Sequence, residues 1–249
     1  MNKWSRAVKL FLTIDILSIL FVFLGSCAFA TTTYEVEVEC SVCGNKVKQR
    51  KISSTNTFGS MDLDTRPPEM QRSTMMYWVN CCPDCGYCAG SVDEELENAR
   101  ELIGTEEYKT IRADTLYPPL ARDFLSHAFL LEKNEMYKEA AWACLHAAWD
   151  CDDWGGNSVN CRLNAARLFK MVKPDESETP TDRENRLTLL VDILRRARQF
   201  DEALVVCDSA LQLAETKIIV DILNFQKTLI LNKDDGRYVV EQAVSEEKE

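Results

Sequence analysis

Residues 119–243 carry apolar side chains at intervals of three and four, the spacing of helices that bury one face. This pattern breaks twice, at residues 152–157 and 173–182, and it follows the pair Pro118 and Pro119. A last amphipathic segment at residues 218–231 would form a helix that covers the end of the row of helices and turns its polar face to solvent. We therefore expect a mainly α protein whose larger part is an antiparallel helical array.

Two stretches within this part share the spacing of tetratricopeptide repeats, in which small residues let paired helices approach closely. The first consists of Phe124, Ala128, Leu131, Tyr137, Ala140, Cys144 and Ala147, and the second of Leu187, Val191, Leu194, Phe200, Ala203, Cys207 and Ala210. Ala140 and Ala203 are 63 residues apart, near but not equal to two periods of about 34 residues. The pattern predicts a tetratricopeptide-like array with a degenerate middle unit, in which Cys144, Cys207, Trp142 and Trp149 pack in the interior.

Such arrays bind an extended or helical peptide along the inner helices, at fixed repeat positions. Counting back from the two alanines predicts a groove lined by Arg122, Leu125, Phe129, Glu132, Asn185, Thr188, Asp192 and Arg195. The alternative for Leu125 and Phe129 is simple burial between adjacent helices. The expected partner is an unidentified protein or peptide.

The first half of the chain has a different pattern. Residues 34–38 alternate apolar and acidic side chains, and residues 75–79 are rich in Met, Tyr, Trp and Val, so both predict short strands. From Ser91 a helical pattern returns with three acidic residues in its first turn. We expect a metal-binding module at residues 31–90 and a linker helix region at residues 91–118.

Four of the eleven cysteines form two Cys-x-x-Cys-Gly motifs, Cys40 with Cys43 and Cys82 with Cys85. Two such knuckles supply four thiolates for a tetrahedral metal with metal–sulfur distances of about 2.3 Å. Strands leading into each knuckle give the layout of a zinc ribbon. Disulfide bonding is one alternative, and iron in a site similar to that of rubredoxin is another. Structural Zn²⁺ is the prediction, because the segment between the knuckles is longer than a compact rubredoxin requires.

The remaining polar and thiol groups have less specific patterns. Cys81 and Cys88 flank the second knuckle as spare ligands, redox partners or, as we favour, small half-buried residues. Cys151 and Cys161 bracket a glycine-containing loop, for which a loop-closing disulfide is a possibility but not the favoured interpretation. Between the knuckles lie three charged residues, Asp62, Asp64 and Arg66. They could form a polar cluster over the ribbon. We favour the alternative that they are ordinary turn residues with a surface ion pair.

The N-terminus resembles a secretory signal. Three basic residues within the first nine precede a short apolar run at residues 16–24. Asp15 separates this run from the apolar residues before it. Residues 24–27 resemble a lipobox whose Cys27 would be lipidated, and residues 28–30 offer a plain cleavage site. An uncleaved anchor is the third possibility. Each predicts an extracytoplasmic or periplasmic protein that meets the membrane only through its N-terminal anchor or lipid.

The net charge of the chain and the motifs it lacks reduce the number of functions to consider. The net charge is −11, and the first thirty residues carry +2, so the remainder carries −13. Nucleic-acid binding is disfavoured because a broad basic surface is absent from the sequence. His127 and His146 lie outside any catalytic motif, and the chain has no phosphate loop or nucleophile elbow. We expect a binding scaffold rather than an enzyme, with a rubredoxin-like or thiol redox protein as the alternative.

The whole arrangement resembles a bacterial family of unknown function that pairs an N-terminal zinc ribbon with tetratricopeptide-like helices. The resemblance spans residues 34–232 and rests on the two knuckles, the segment 62–64, Trp78 and the helices. An export signal departs from that pattern. The resemblance implies no reaction. Separately, the sequence predicts a charged tail at residues 244–249.

Overall fold

A computed structural model describes residues 31–173 and 178–244 of the chain. It begins with a β-hairpin in which β1 (Thr32–Glu39) pairs antiparallel with β2 (Lys46–Ser54). Val38 lies opposite Val47, and alternate acidic residues of β1 form exposed ion pairs with lysines of β2. The predicted strand at residues 34–38 is confirmed within β1.

The chain between the hairpin and the helices is built from short elements. They are α1 (Glu69–Arg72), a 3₁₀ helix (Ser73–Tyr77), β3 (Asn80–Cys81) and β4 (Cys88–Ala89). The strand predicted at residues 75–79 is wrong, because most of that segment lies in the 3₁₀ helix. Arg72 Nε donates to Pro67 O at 2.9 Å and Thr74 Oγ1 to Gln71 O at 2.7 Å, which satisfies the carbonyls of a compact turn.

The linker region also differs from its prediction. Helix does not begin at Ser91 but at α2 (Ala99–Leu102), followed by α3 (Glu106–Ala113). The carbonyls of Val92 and Glu94 instead accept hydrogen bonds from Ser41 N and Tyr87 Oη, at 2.9 and 2.7 Å. Tertiary contacts with the two cysteine knuckles therefore override the local helical pattern.

Six longer helices make up most of the described chain after α3, and each packs on the next along the chain. They are α4 (Pro119–Lys133), α5 (Tyr137–Trp154), α6 (Ser158–Met171), α7 (Pro180–Arg196), α8 (Phe200–Leu213) and α9 (Lys217–Leu231). Buried alanines at their contacts, such as Ala128, Ala140 and Ala203, permit close approach. Cys144, Cys207 and Trp149 are buried as predicted, and the mainly helical fold is confirmed. The assignment of this array to the tetratricopeptide class remains a prediction.

The segment between the hairpin and α1 is tied to the far end of the helical array. Leu63 N donates to Tyr238 O, and Val240 N donates to Met61 O, each at 2.9 Å. This contact lies beside α10 (Val240–Ala243), the last described helix. The N-terminal and C-terminal parts of the described chain therefore interlock.

A buried ion network reinforces the same contact. Asp64 Oδ2 accepts hydrogen bonds from Arg196 Nη1 at 2.7 Å and Trp149 Nε1 at 2.9 Å, while Arg162 lies within 3.4 Å. Asp152 accepts from both arginines. Neither interpretation of this segment was right: Asp62, Asp64 and Arg66 are buried against the helical array rather than lying over the ribbon or at the surface.

Within the described residues, no helix combines the length and apolar character needed to cross a bilayer. The predicted export segment at residues 1–30, which includes Cys27, lies outside the described residues. Residues 245–249 of the predicted charged tail also lie outside them.

Candidate metal centre

The two cysteine knuckles converge at one point. Cys40 follows β1 and Cys43 lies in the turn before β2, while Cys82 and Cys85 lie in the loop between β3 and β4. In each knuckle the glycine amide donates back to the first cysteine carbonyl, Gly44 to Cys40 at 2.8 Å and Gly86 to Cys82 at 2.9 Å. Both glycines have φ near +77°, at 77° and 78°. A left-handed turn of this kind favours glycine.

The spacing of the sulfurs fits a tetrahedral metal. Cys40 Sγ lies 3.7 Å from Cys85 Sγ, and Cys43 Sγ lies 3.6 Å from Cys82 Sγ. All four sulfurs lie within 4.8 Å of one another. A regular tetrahedron with metal–sulfur bonds of about 2.3 Å requires sulfurs about 3.8 Å apart. The four predicted ligands therefore form a cluster that could hold a metal ion, as expected.

Burial disfavours the negatively charged thiolate form of these cysteines unless a cation balances the charge. Cys40 and Cys82 are each 1% exposed, and Cys43 and Cys85 are half-buried. Burial raises the pKa of the Cys85 thiol well above its ordinary value, and the neighbouring thiols raise it further, against a hydrogen bond from the Tyr87 amide. Because metal ligation requires deprotonated sulfur, a bound cation would reverse this preference.

A shell of hydrogen bonds fixes the knuckles from outside. Tyr108 Oη, in α3, donates to Gly86 O at 2.7 Å, and an Arg100 guanidinium N–H donates to Val42 O. Tyr87 and Tyr108 belong to the same buried cluster as Cys40 and Cys82. The packed unit around the cysteines thus extends through α3, past the predicted boundary at residue 90.

The two cysteines that flank the second knuckle form a disulfide, Cys81–Cys88. They were expected to be small half-buried residues, with a redox role as an alternative. Sequence separation alone did not reveal the pairing, but residues 81 and 88 face each other directly in the β3–β4 ladder.

The disulfide considered between Cys151 and Cys161 does not form. Cys151 and Cys161 are free and buried, so the loop-closing disulfide is not present. The neighbouring Cys151 thiol, together with burial, raises the pKa of Cys161.

The predicted peptide groove is not a continuous open surface. Thr188, Asp192 and Arg195 are buried, and Arg195 Nη2 donates to Asp192 Oδ1 at 2.6 Å. These three positions therefore differ from the accessible ones that repeat counting predicts, because this face of α7 packs inward. Asn185 is exposed at the start of α7.

The groove positions on α4 have mixed surroundings. Leu125 packs against the main core and Phe129 against the cysteine module, with its ring 5.9 Å from that of Tyr108. Glu132 forms an ion pair with Arg167 at 2.8 Å. Arg122 is half-buried, and its guanidinium donates to the backbone carbonyl Arg112 O at 3.4 Å.

An apolar groove that the sequence pattern did not reveal lies beside Arg122. It has a volume of about 1110 Å³ and runs between the 3₁₀ helix, the start of α4 and the end of α5. Three large apolar side chains at its edge are strongly exposed, Met76 at 59%, Leu116 at 73% and Trp154 at 78%. The signal available in the sequence was Trp154 followed by two glycines, outside the helical period.

His127 and His146 both lie in surroundings that disfavour their charged forms. Burial lowers the pKa of His127 to about 4 and that of His146 to about 3, so both are neutral near pH 7. The His146 ring lies 4.9–5.2 Å from the rings of Trp149, Trp78 and Phe124. The His146 ring is therefore packed among aromatic side chains.

Comparisons with known proteins place the chain in a family without assigning a reaction. Neither the curated proteins nor the solved structures gave a match. The family described as an uncharacterized protein conserved in bacteria, DUF2225, matches residues 33–229. This match covers most of the chain, including both knuckles and the helices through most of α9. The chain therefore belongs to the bacterial DUF2225 family.

Proposed function

We propose that the chain is an exported zinc-binding scaffold protein that binds another protein through its tetratricopeptide-like helical part. The convergence of four thiols at tetrahedral spacing carries this proposal. Zinc suits a closed four-sulfur site that has a structural role. The cysteine module joins the hairpin to α2, α3 and α4, so a metal there would stabilise the contact between the two parts of the chain.

The groove edged by Met76, Leu116 and Trp154 supports the binding role. Exposed apolar patches of this kind mark interaction surfaces in soluble domains, and aromatic residues are common hot spots. The carboxylates that line the groove already have partners: Asp150 accepts from Ala121 N at 2.9 Å, and Asp153 pairs with Arg66. Arg122 forms no ion pair within the described chain. A peptide with a large apolar side chain and a nearby carboxylate would complement this surface.

The zinc site is tested with a pair of matched variants. Cys85→Ser removes one ligand, whereas Cys207→Ser changes a buried thiol far from the cluster in sequence, whose sulfur donates to Leu223 O. Each protein is purified without oxygen and its metal is measured. Cys85→Ser should lose zinc and Cys207→Ser should retain it. Equal zinc in both variants would show that the cluster does not hold the metal.

Export is supported by the basic start, the short apolar run and the lipobox-like segment. Intact-mass analysis of the protein from its native membrane and soluble fractions tests it. A lipidated chain that begins at Cys27 is the expected product, and a soluble chain that begins at Thr31 would select plain cleavage. A cytoplasmic protein that retains residues 1–30 would contradict export.

A further inference from the structure

The Cys81–Cys88 disulfide lies at the base of the loop that carries half of the metal ligands. Cys81 and Cys88 are directly opposed in the two-residue ladder formed by β3 and β4. The residues between them, 82–87, include the ligands Cys82 and Cys85. The disulfide therefore joins the two ends of the segment that presents these ligands.

The two sulfurs differ in their surroundings. Cys88 is fully buried, while Cys81 is half-buried. Arg112 Nη1 lies 3.6 Å from Cys81 Sγ and also donates to Asp123. Cys81 is thus the more exposed half of the pair, and the Arg112 guanidinium offers a hydrogen-bond donor to its sulfur.

Two backbone hydrogen bonds remain within the loop if the disulfide opens. Cys82 N donates to Tyr87 O at 2.8 Å, and Gly86 N donates to Cys82 O at 2.9 Å. The ladder outside them is only two residues long. Because a cross-link restricts the conformations that a loop can adopt, its loss would let Cys82 and Cys85 move relative to Cys40 and Cys43.

We propose that Cys81–Cys88 is an exchange site for dithiol reductants, and that its reduction weakens zinc retention by the adjacent loop. The first thiolate of the reductant attacks Cys81 Sγ, forming a mixed disulfide while the Cys81–Cys88 bond breaks and the Cys88 sulfur takes up a proton. The second thiolate then attacks the mixed disulfide and releases Cys81, which is protonated in turn. Two electrons pass to the protein, and the reductant leaves as its cyclic disulfide. This inference rests on the proposed zinc site.

The test measures zinc release from the full chain to a chromophoric chelator. The proteins are the oxidised wild type, the wild type reduced with dithiothreitol, and the double variant Cys81→Ser/Cys88→Ser. Alkylation and intact mass establish how many thiols are free in each. The reduced wild type and the double variant should both release zinc about tenfold faster than the oxidised wild type.

Two controls separate the possible causes of a change. Dithiothreitol should not alter the release rate of the double variant, which shows that the reagent does not itself extract the metal. Circular dichroism reports whether the double variant folds, and the reduced wild type tests the inference if it does not. Equal release rates before and after complete reduction would overturn the inference, as would a disulfide that resists dithiothreitol in the native protein. A chain that never binds zinc would instead remove the proposed function.

Discussion

Trp149 Nε1 donates a hydrogen bond to Asp64 Oδ2 at 2.9 Å, across 85 residues of the chain. Asp64 is fully buried, and the same oxygen accepts from Arg196 Nη1 at 2.7 Å. Burial opposes ionisation of Asp64, but the guanidinium groups of Arg196 and Arg162 and the indole bond together lower its pKa. The carboxylate is therefore ionised at neutral pH and holds the segment before α1 against α5, α6 and α7.

Replacing this carboxylate should destabilise the whole fold. Asp64→Asn leaves two buried guanidinium groups with one fewer carboxylate, and removing one partner from such a pair costs about 3–5 kcal/mol. We expect the free energy of unfolding, measured with urea near pH 7, to fall by about 3 kcal/mol. The matched control is Glu97→Gln, which makes the same change of charge at an exposed position. A loss below about 1 kcal/mol for Asp64→Asn would contradict the role of this network.

Asp152 gives the network a defined dependence on pH. Burial opposes its ionisation, but hydrogen bonding and charge from Arg162, with Arg196, lower the pKa of Asp152 from 3.8 to about 2. Since the folded state favours the ionised form, its contribution is complete above the ordinary pKa of 3.8 and is lost as the pH falls through about 2. This shift corresponds to about 2 kcal/mol.

Asp152→Asn should therefore lower the free energy of unfolding by about 2 kcal/mol near pH 7. The difference from the wild type should shrink as the pH falls from about 4 to about 2. Urea titrations of both proteins over this range measure it, and any loss of metal in acid affects both alike. A difference that stays constant down to pH 2 would show that charge at Asp152 is not its source.

The cysteine ligands and the main helices could be predicted from local patterns. Two Cys-x-x-Cys-Gly motifs specify their own turns, and the apolar period specifies α6 and α9 almost to the residue. The contacts between distant segments could not be predicted from such patterns. Asp64 resembles a turn residue until α5, α6 and α7 are in place around it, and residues 91–98 follow a helical pattern that their contacts with Ser41 and Tyr87 override. Thr188 and Asp192 were assigned to a groove by repeat counting, which does not determine how far α7 turns into the interior.

Tyr108 tests the contribution of the shell around the metal centre. Its hydroxyl donates to Gly86 O at 2.7 Å and so holds the second knuckle from α3. Partners outside the ligand set commonly contribute about 10–100-fold in metal affinity. Tyr108→Phe should weaken zinc binding by about tenfold in a competition titration with a chelator. Tyr34→Phe, at a position 51% exposed, is the control, and equal zinc affinities for the two variants would exclude this role for Tyr108.

Trp154 tests the proposed partner groove. Its side chain is 78% exposed at the end of α5, so truncation should leave the free energy of unfolding within about 0.5 kcal/mol of the wild type. Trp154→Ala should reduce the capture of crosslinked partners by about tenfold, because an exposed aromatic residue is a common anchor in interfaces. Val205→Ala, which truncates a 66% exposed side chain on α8, is the control. Unchanged capture by a folded Trp154→Ala protein would remove this groove as the binding surface.

Zinc binding is proposed for four cysteines of this chain, Cys40, Cys43, Cys82 and Cys85, which would hold one ion together. Native mass spectrometry of the wild-type chain, purified without oxygen and without added metal, measures the identity and number of bound metals in one experiment. We expect one zinc per chain and, in a spectrum of the same sample, no absorption in the visible range. A folded chain without metal, or a coloured protein with one iron per chain, would contradict it.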